Sequence, residues 1–227
     1  WTWIKCRNDA QEPRLVDSLR GTTKYLDSSL TLAEFTSTNI LTSFDTDGFT
    51  LGNNAISNLN GNTHVAWNWK AGTTTGIATN GDTDITPSSY SFNQTSGFSV
   101  LKYTGNGTSG VGVAHGLNAK PQFFIVKRLD AISDWQVYFQ PVLNVSNATK
   151  YLVLDGNNEE TVNINKWNGY QPDATNFYLG NDGQTNTSSS DYIGYVFANI
   201  KGFSKFGSYV GNGSTDGTFT YTGFKPA

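Results

Sequence analysis

The sequence is poor in the side chains that metal binding and nucleophilic catalysis use most. Its 227 residues include one cysteine, two histidines and no methionine. The single cysteine, Cys6, cannot form an intramolecular disulfide. The cysteine content therefore does not indicate whether the protein works in an oxidising or a reducing compartment. A zinc site or a Cys–His pair would have almost no residues to draw on. We therefore expect neither a zinc enzyme nor a thiol enzyme.

Charged residues and long apolar runs are also scarce. Charged residues make up 15% of the chain and the formal net charge is −3, with Lys and Arg scattered along the sequence. No basic cluster could neutralise a row of phosphates, which argues against a nucleic-acid partner. The sequence has no run of the ~18 apolar residues that a membrane span needs, and no signal-peptide pattern. These absences predict a soluble protein without membrane insertion.

Glycine and aromatic residues are abundant. The chain contains 24 Gly, and Phe, Trp and Tyr together make up 14%. Aromatic and β-branched residues favour strands, while Gly, Asn and Asp favour the turns between them. Val65, Trp67 and Trp69 alternate with small or polar residues, whereas residues 123–126 form an unbroken apolar run typical of a strand covered on both sides. The chain is predicted to be all-β, although residues 10–34 could hold a short helix or an irregular excursion.

An internal repeat organises the chain. The matching segments are 97–107 with 202–213, 49–53 with 177–181, 65–69 with 193–197, and 121–127 with 226–227 read on into 1–5. The last match crosses the chain ends, so one of the two copies is permuted. The repeat sets the predicted architecture, which is two related antiparallel β-sandwich modules of the jelly-roll or lectin-like kind.

The repeat divides the chain into four parts. Residues 1–72 form copy A, 73–96 a polar connector, 97–201 copy B, and 202–227 a segment that matches the start of a copy. This last segment either begins a further copy in an array, or folds back and completes copy A within the same chain. Arrays are the commoner case, because repeat units need stacked neighbours to bury their faces.

Acidic pairs are the main candidates for chemistry. A glycan-cleaving enzyme needs two carboxylates across a sugar ring. The pairs on offer are Asp45 with Asp47, Asp82 with Asp84, and Glu159 with Glu160. All lie in turn-like contexts, where aspartate caps the backbone, so no catalytic residue is predicted. Asp45 and Asp47 could instead begin a calcium loop, although the later acidic ligand is missing, and calcium is the one cofactor left open.

Aromatic residues are the candidates for ligand contact. An aromatic ring offers a flat apolar face on which a sugar can stack. Trp167 and Tyr170 lie in a polar segment and are the predicted ligand-binding residues. Trp67 and Trp69 are assigned to the interior, because they occupy the repeat positions of an aromatic pair at 195 and 197.

Several motifs together resemble a known family. The segment Gly-Phe-Ser-Val-Leu-Lys-Tyr-Thr-Gly-Asn-Gly at 97–107 is followed by His115-Gly-Leu, by Pro-Gln-Phe-Phe-Ile-Val-Lys at 121–127 and by Asp-Trp-Gln-Val-Tyr at 134–138. With the matching first half of the chain, this combination is similar to a repeat of tailed-bacteriophage virion proteins, often marine tail or fibre proteins. The resemblance implies concanavalin A-like or laminin G-like sandwich modules and carries no catalytic residues. The matching site at 221–224 reads Tyr-Thr-Gly-Phe and lacks a His-Gly-Leu. His115 is interpreted as a strand-end histidine bonded to the backbone.

These observations predict a non-enzymatic structural protein on the virion surface, outside the host cell. It would serve as a fibre, tail or capsid-decoration module with a role in host adhesion. The expected partners are other copies of itself, other virion proteins and a host surface glycan. One alternative is a lectin-like carbohydrate-binding module, which would show an exposed aromatic platform. The other is a glycan depolymerase, which would show a cleft with opposed carboxylates.

Overall fold

The structure is a computed structural model, and it describes residues 1–140 and 148–226. The described strands are β1 (Thr2–Cys6), β2 (Arg14–Val16), β3 (Lys24–Asp27), β4 (Phe35–Thr36), β5 (Leu41–Phe44), β6 (Phe49–Leu51), β7 (His64–Asn68), β8 (Thr83–Ile85), β9 (Ser89–Asn93), β10 (Phe98–Thr104), β11 (Val111–Ala114), β12 (Pro121–Arg128), β13 (Gln136–Phe139), β14 (Lys150–Val153), β15 (Thr161–Val162), β16 (Asn176–Leu179) and β17 (Asp191–Ala198). The described helices are the single turns α1 (Ala55–Asn58), α2 (Ile164–Trp167) and α3 (Gly183–Asn186). The prediction of an all-β chain is confirmed. In this part of the chain, no helix has the length and hydropathy to cross a bilayer.

The strands form three stacked layers and a hairpin. The front sheet has the order β4-β3-β2-β1-β7, the central sheet β15-β14-β13-β12-β17-β10-β9, and the back sheet β16-β11-β8. Strands β5 and β6 form a separate hairpin. Neighbouring strands pair antiparallel, except that β8 and β11 run parallel.

The central sheet is covered on both faces. Ile125 and Tyr195 on one face pack with Trp1 of the front sheet. On the other face, Phe124 packs with Phe177 of the back sheet. Because successive side chains of a strand point to opposite faces, a strand buried on both sides needs apolar residues at consecutive positions. This accounts for the unbroken apolar run at 123–126.

The strands of copies A and B pair in the same order and register. The front sheet order β4-β3-β2-β1-β7 parallels the stretch β15-β14-β13-β12-β17 of the central sheet. In the first, Trp3 lies opposite Trp67, and in the second Ile125 lies opposite Tyr195. These are the pairs that the sequence match of 1–5 with 123–127 and of 65–69 with 193–197 makes equivalent. The two copies therefore build corresponding sheets.

Residues 10–34 contain β2 and β3, so the expected helix is wrong, whereas the segments around these two short strands are irregular. Leu15 and Leu26 lie opposite each other in this strand pair, and both are fully buried against the central sheet. A period of two places each leucine on the buried face of its strand. The tripeptide Lys-Tyr-Leu at 24–26 recurs at 150–152 in β14, which is the signal that identifies β3 as its counterpart.

The connector 73–96 takes part in the sheets of copy B. Strand β9 pairs with β10 at the edge of the central sheet, and β8 pairs with β11 in the back sheet. Phe92 is buried in the core between these two sheets. The Asp84 carboxylate accepts a hydrogen bond from the Gly112 amide at 2.9 Å. The segment therefore covers copy B as well as joining it to copy A.

A buried polar network ties the two copies together. Arg20 pairs with Asp17 at 2.6 Å between Nε and Oδ2, and both side chains are almost fully buried. The Tyr195 hydroxyl of copy B donates to the Asp17 carboxylate at 2.8 Å. Burial opposes ionisation, but the charge and hydrogen bonds of Arg20 outweigh it and hold the pKa of Asp17 below its usual value. The network thus links the loop that follows β2 to β17 of copy B.

Replacement of Tyr195→Phe is expected to destabilise the chain by about 1–3 kcal/mol, because it leaves the buried Asp17 carboxylate without one of its donors. Urea unfolding measures the change. Tyr209→Phe is the matched control, since Tyr209 is 71% exposed, and it should leave the free energy of unfolding unchanged. Equal stability of the two variants would contradict a role of this network in joining the copies.

Candidate functional site

A cleft of about 570 Å³ opens between the front sheet and the β5–β6 hairpin. Trp1 and Trp69 line it on the sheet side, and Phe44 and Phe49 line it on the hairpin side. The turn of the hairpin, residues 45–48, forms part of the rim. The cleft is therefore aromatic inside and polar at its mouth, which is the composition of many binding sites.

Stacked aromatic rings hold the sheet side of the cleft. The Trp1 ring lies 4.4 Å from Trp69 and 4.3 Å from Tyr195, centroid to centroid, and is nearly parallel to both. Trp1 and Trp69 meet because β1 and β7 are neighbours and the Trp69 amide donates to the Trp1 carbonyl at 3.0 Å. These contacts fix the aromatic wall in one position.

The hairpin turn positions Asp45 and Asp47 at the rim. The Asp45 amide donates to the Gly48 carbonyl at 2.9 Å, and the Thr50 hydroxyl donates to the Asp45 carboxylate at 2.9 Å. Ca²⁺ takes six to eight oxygen ligands, and these two carboxylates supply only part of such a set. Within residues 1–140 and 148–226, no group of three His, Cys, Asp or Glu side chains could hold a metal ion. Calcium at this turn stays a prediction.

The other acidic pairs lie away from the cleft. Asp84 is bonded to the backbone of β11, and Glu160 forms an ion pair with Lys150. Among the described residues that line the cleft, the carboxylates are those of Asp45 and Asp47, and there is no His, Cys or Glu. The cleft therefore lacks the histidine or thiol that a Ser–His or Cys–His pair requires.

The structure places Trp167 in the core, so its expected surface contact is wrong. The residue is fully buried, and its ring meets Phe124 edge to face at 5.0 Å. The polar residues around Trp167 suggested an exposed loop. Two of them instead end a helix: Asn163 caps the start of α2, and Asn168 ends it with a positive φ of 53°. This single helical turn directs the indole inward. Tyr170 is 56% exposed, and its ligand role stays a prediction.

Trp67 is 45% exposed, so its assignment to the interior is wrong. Its counterpart Tyr195 is fully buried on β17, which lies between β12 and β10. Strand β7 is instead the last strand of the front sheet and has β1 as its one neighbour among the described strands. Trp69 is partly buried within the core between the front and central sheets.

Two open strand edges flank the cleft, and sequence reasoning missed them. Strand β17 pairs with β10, and its counterpart β7 has no such partner in the described part of the chain. Strand β16 pairs with β11. Strand β6 is the counterpart of β16, and among the described strands it pairs with β5 only. A free strand edge offers unpaired backbone donors and acceptors to an incoming strand.

His115 lies at the end of β11 and hydrogen bonds to the backbone, as predicted. The Leu117 amide donates to its Nδ1 at 3.2 Å, so Nε2 carries the proton and donates to the Asp173 carbonyl at 3.2 Å. Burial lowers the pKa of His115 to about 4, although the Asp173 carbonyl and carboxylate oppose the shift. The ring is a neutral structural link between β11 and the segment that leads into β16.

The fold and the cleft define an all-β protein with several, mainly antiparallel sheets and an aromatic cleft beside the edges of β6 and β7. The chain belongs to a family described as a domain of unknown function (DUF7483), whose match spans residues 1–227. No curated protein and no solved structure matches the chain.

Acid is expected to destabilise the chain through His115. An unfolded histidine titrates near pH ~6.5, and the folded value is lower, so stability is fully present above that pH and is lost as pH falls toward 4. The loss reaches up to about 3 kcal/mol. Unfolding measured between pH 7 and 5 should show this slope in the native chain and in a His64→Gln control. The slope should be absent in His115→Gln, and its persistence there would contradict the assignment.

Proposed function

We propose that the chain is a non-enzymatic structural module that acts as a stiff spacer in a repeated assembly on a virion surface. The observation that carries this proposal is the packing of corresponding faces of copies A and B against each other. The core between the front and central sheets takes equivalent positions from both copies: Trp1 and Phe123, Trp3 and Ile125, Leu15 and Val137, Leu26 and Leu152, and Trp69 and Phe197. Interiors packed in this way are dense and resist deformation.

The buried charged groups support a structural role. Lys127 donates to the Thr31 carbonyl at 3.0 Å and to the Ser133 carbonyl at 2.6 Å, and burial lowers its pKa to about 8. Its counterpart Lys5 likewise donates to a loop carbonyl, that of Gln11. Each lysine fastens the loop that follows its own strand. A catalytic lysine would instead face a cleft that substrate can enter.

The virion surface enters the proposal through the resemblance of the repeat to tailed-bacteriophage proteins. A spacer of this kind needs rigidity and copy number more than a strong individual contact. Exposed aromatic residues such as Trp67 and Tyr170 would then contribute weak contacts to a host glycan, which many copies on one particle convert into avidity.

A carbohydrate-binding module is the second candidate. The observation in its favour is the cleft, where the aromatic rings of Trp1 and Trp69 lie beside Asp45 and Asp47. Sugar sites combine aromatic faces with carboxylates that accept hydroxyl hydrogen bonds. In such a module, the cleft of a single chain would bind a glycan with measurable affinity.

A glycan array probed with the purified chain, together with a reducing-end assay on host polysaccharide, tests the proposed function. We expect no signal above that of an Asp45→Ala, Asp47→Ala variant, and we expect an antibody against the chain to label purified virions at regular positions. Dose-dependent binding that this variant loses would replace the spacer by a carbohydrate-binding module. Release of reducing ends that Asp45→Asn abolishes would replace it by an enzyme, and unlabelled particles would remove the virion assignment.

A further inference from the structure

Residues 203–221 expose an unusual number of large apolar side chains. Phe203 is 62% exposed, Tyr209 71%, Val210 85%, Phe219 86% and Tyr221 70%. Single exposed apolar residues are normal, but a concentration of them in one segment marks a surface that another chain covers.

The equivalent residues of copy B are buried. Segment 202–213 matches 97–107, which makes Phe203 the counterpart of Phe98 and Tyr209 the counterpart of Tyr103. Phe98 is 1% exposed and Tyr103 is fully buried, because both lie on β10 inside the central sheet. The exposed segment therefore matches a buried strand in sequence, but its own aromatic side chains are not buried.

The cleft of copy A corresponds in position to the core that surrounds β10 in copy B. In copy B, Tyr103 of β10 lies 6.3 Å from Phe177 of β16, ring to ring, and both belong to one core with Phe124 of β12. The counterparts of Phe124 and Phe177 are Thr2 and Phe49, and both line the cleft. The space that β10 and β11 fill in copy B is thus open in copy A, between the free edges of β7 and β6.

The segment of the same chain does not fill this space. The Ile200 amide donates to the Ser204 carbonyl at 3.0 Å, and the Phe206 amide donates to Asn199 Oδ1 at 2.9 Å. The Phe206 ring packs against Phe123 at 5.4 Å. Within the described residues, no strand pairing joins 203–226 to β6 or β7. Closure of copy A within one chain, one of the two alternatives drawn from the repeat, is therefore not the arrangement seen here.

We propose that residues 203–222 of a second copy of this chain dock into the cleft of copy A. One strand of this segment pairs with the free edge of β7, in the position that β10 has beside β17. The next strand pairs with β6, in the position that β11 has beside β16. Backbone hydrogen bonds along an open edge supply affinity, and alternate side chains entering the cleft supply specificity. This inference rests on the proposed structural function, because it describes how the spacers would join.

The register of the docked strand follows from copy B. Lys102 of β10 lies opposite Ile193 of β17. Their counterparts are Ser208 and Val65, by the sequence matches that align 103 with 209 and 193 with 65. Opposed positions on neighbouring strands bring two Cβ atoms close enough for a disulfide, whereas the next residue along the strand points to the other face.

Cysteine cross-linking between separate chains tests the docking. Val65→Cys and Ser208→Cys are made as two single variants of the full chain, mixed, and oxidised mildly. We expect a covalent dimer on a non-reducing gel, and mass spectrometry should find the disulfide between positions 65 and 208. Each single variant alone, which retains the buried Cys6, controls for unrelated pairing. Mixing Val65→Cys with Tyr209→Cys controls for register and should give far less of the mixed disulfide.

Three outcomes would overturn the inference. The first is no mixed disulfide between folded chains, and the second is equal yield from the out-of-register mixture. The third is an internal disulfide in the monomeric double variant Val65→Cys, Ser208→Cys, which would show closure within one chain. A blank glycan array with failed cross-linking removes this mode of assembly alone. Glycan binding that the Asp45→Ala, Asp47→Ala variant loses removes the proposed function, whatever the cross-linking shows.

Discussion

The contact of Trp1 with Tyr195 joins the two copies, and the remaining structure depends on it. The rings are 4.3 Å apart and inclined by 18°, and Trp1 also contacts Trp69 of its own copy and Phe98 of the other. Burying one such side chain contributes about 1.5–3 kcal/mol, and aromatic pairing adds about 0.5–1.5 kcal/mol. The stack fixes the face that the front sheet presents to the central sheet, and with it the position of the cleft.

The all-β class could be predicted from the sequence because aromatic alternation and glycine-rich turns are local signals. Burial was harder to predict, since it depends on neighbours that are distant in the chain. Trp67 occupies the repeat position of buried Tyr195, yet it is 45% exposed because β7 has no neighbour on its outer side among the described strands. Trp167 sits among polar residues, yet one capped helical turn carries it into the core. Copy B contains β10 and β11, and among the described strands copy A has no counterpart of either. The cleft and its open edges result from this difference, which no single segment of the sequence shows.

The open edges give the molecule two unequal halves. Copy B has both faces of its sheet covered, by the front sheet on one side and the back sheet on the other. Copy A shares the first of these interfaces, while a small cluster around Val16, Ile40 and Leu41 covers only part of its outer face. A long free strand edge can pair with other chains and cause aggregation, so proteins cover such edges or use them for binding. Here the exposed segment 203–222 matches the strand that copy A lacks, and in a second chain it could bind to these edges.

The account predicts that the front and central sheets unfold as one unit. Hydrogen exchange of the amides of β1 and β12, followed at increasing denaturant, tests this directly. If the aromatic contact between copies governs the fold, both sets of amides exchange through the same global opening, with equal free energies. Exchange of β1 through a separate opening of lower free energy, while β12 stays protected, would contradict the account.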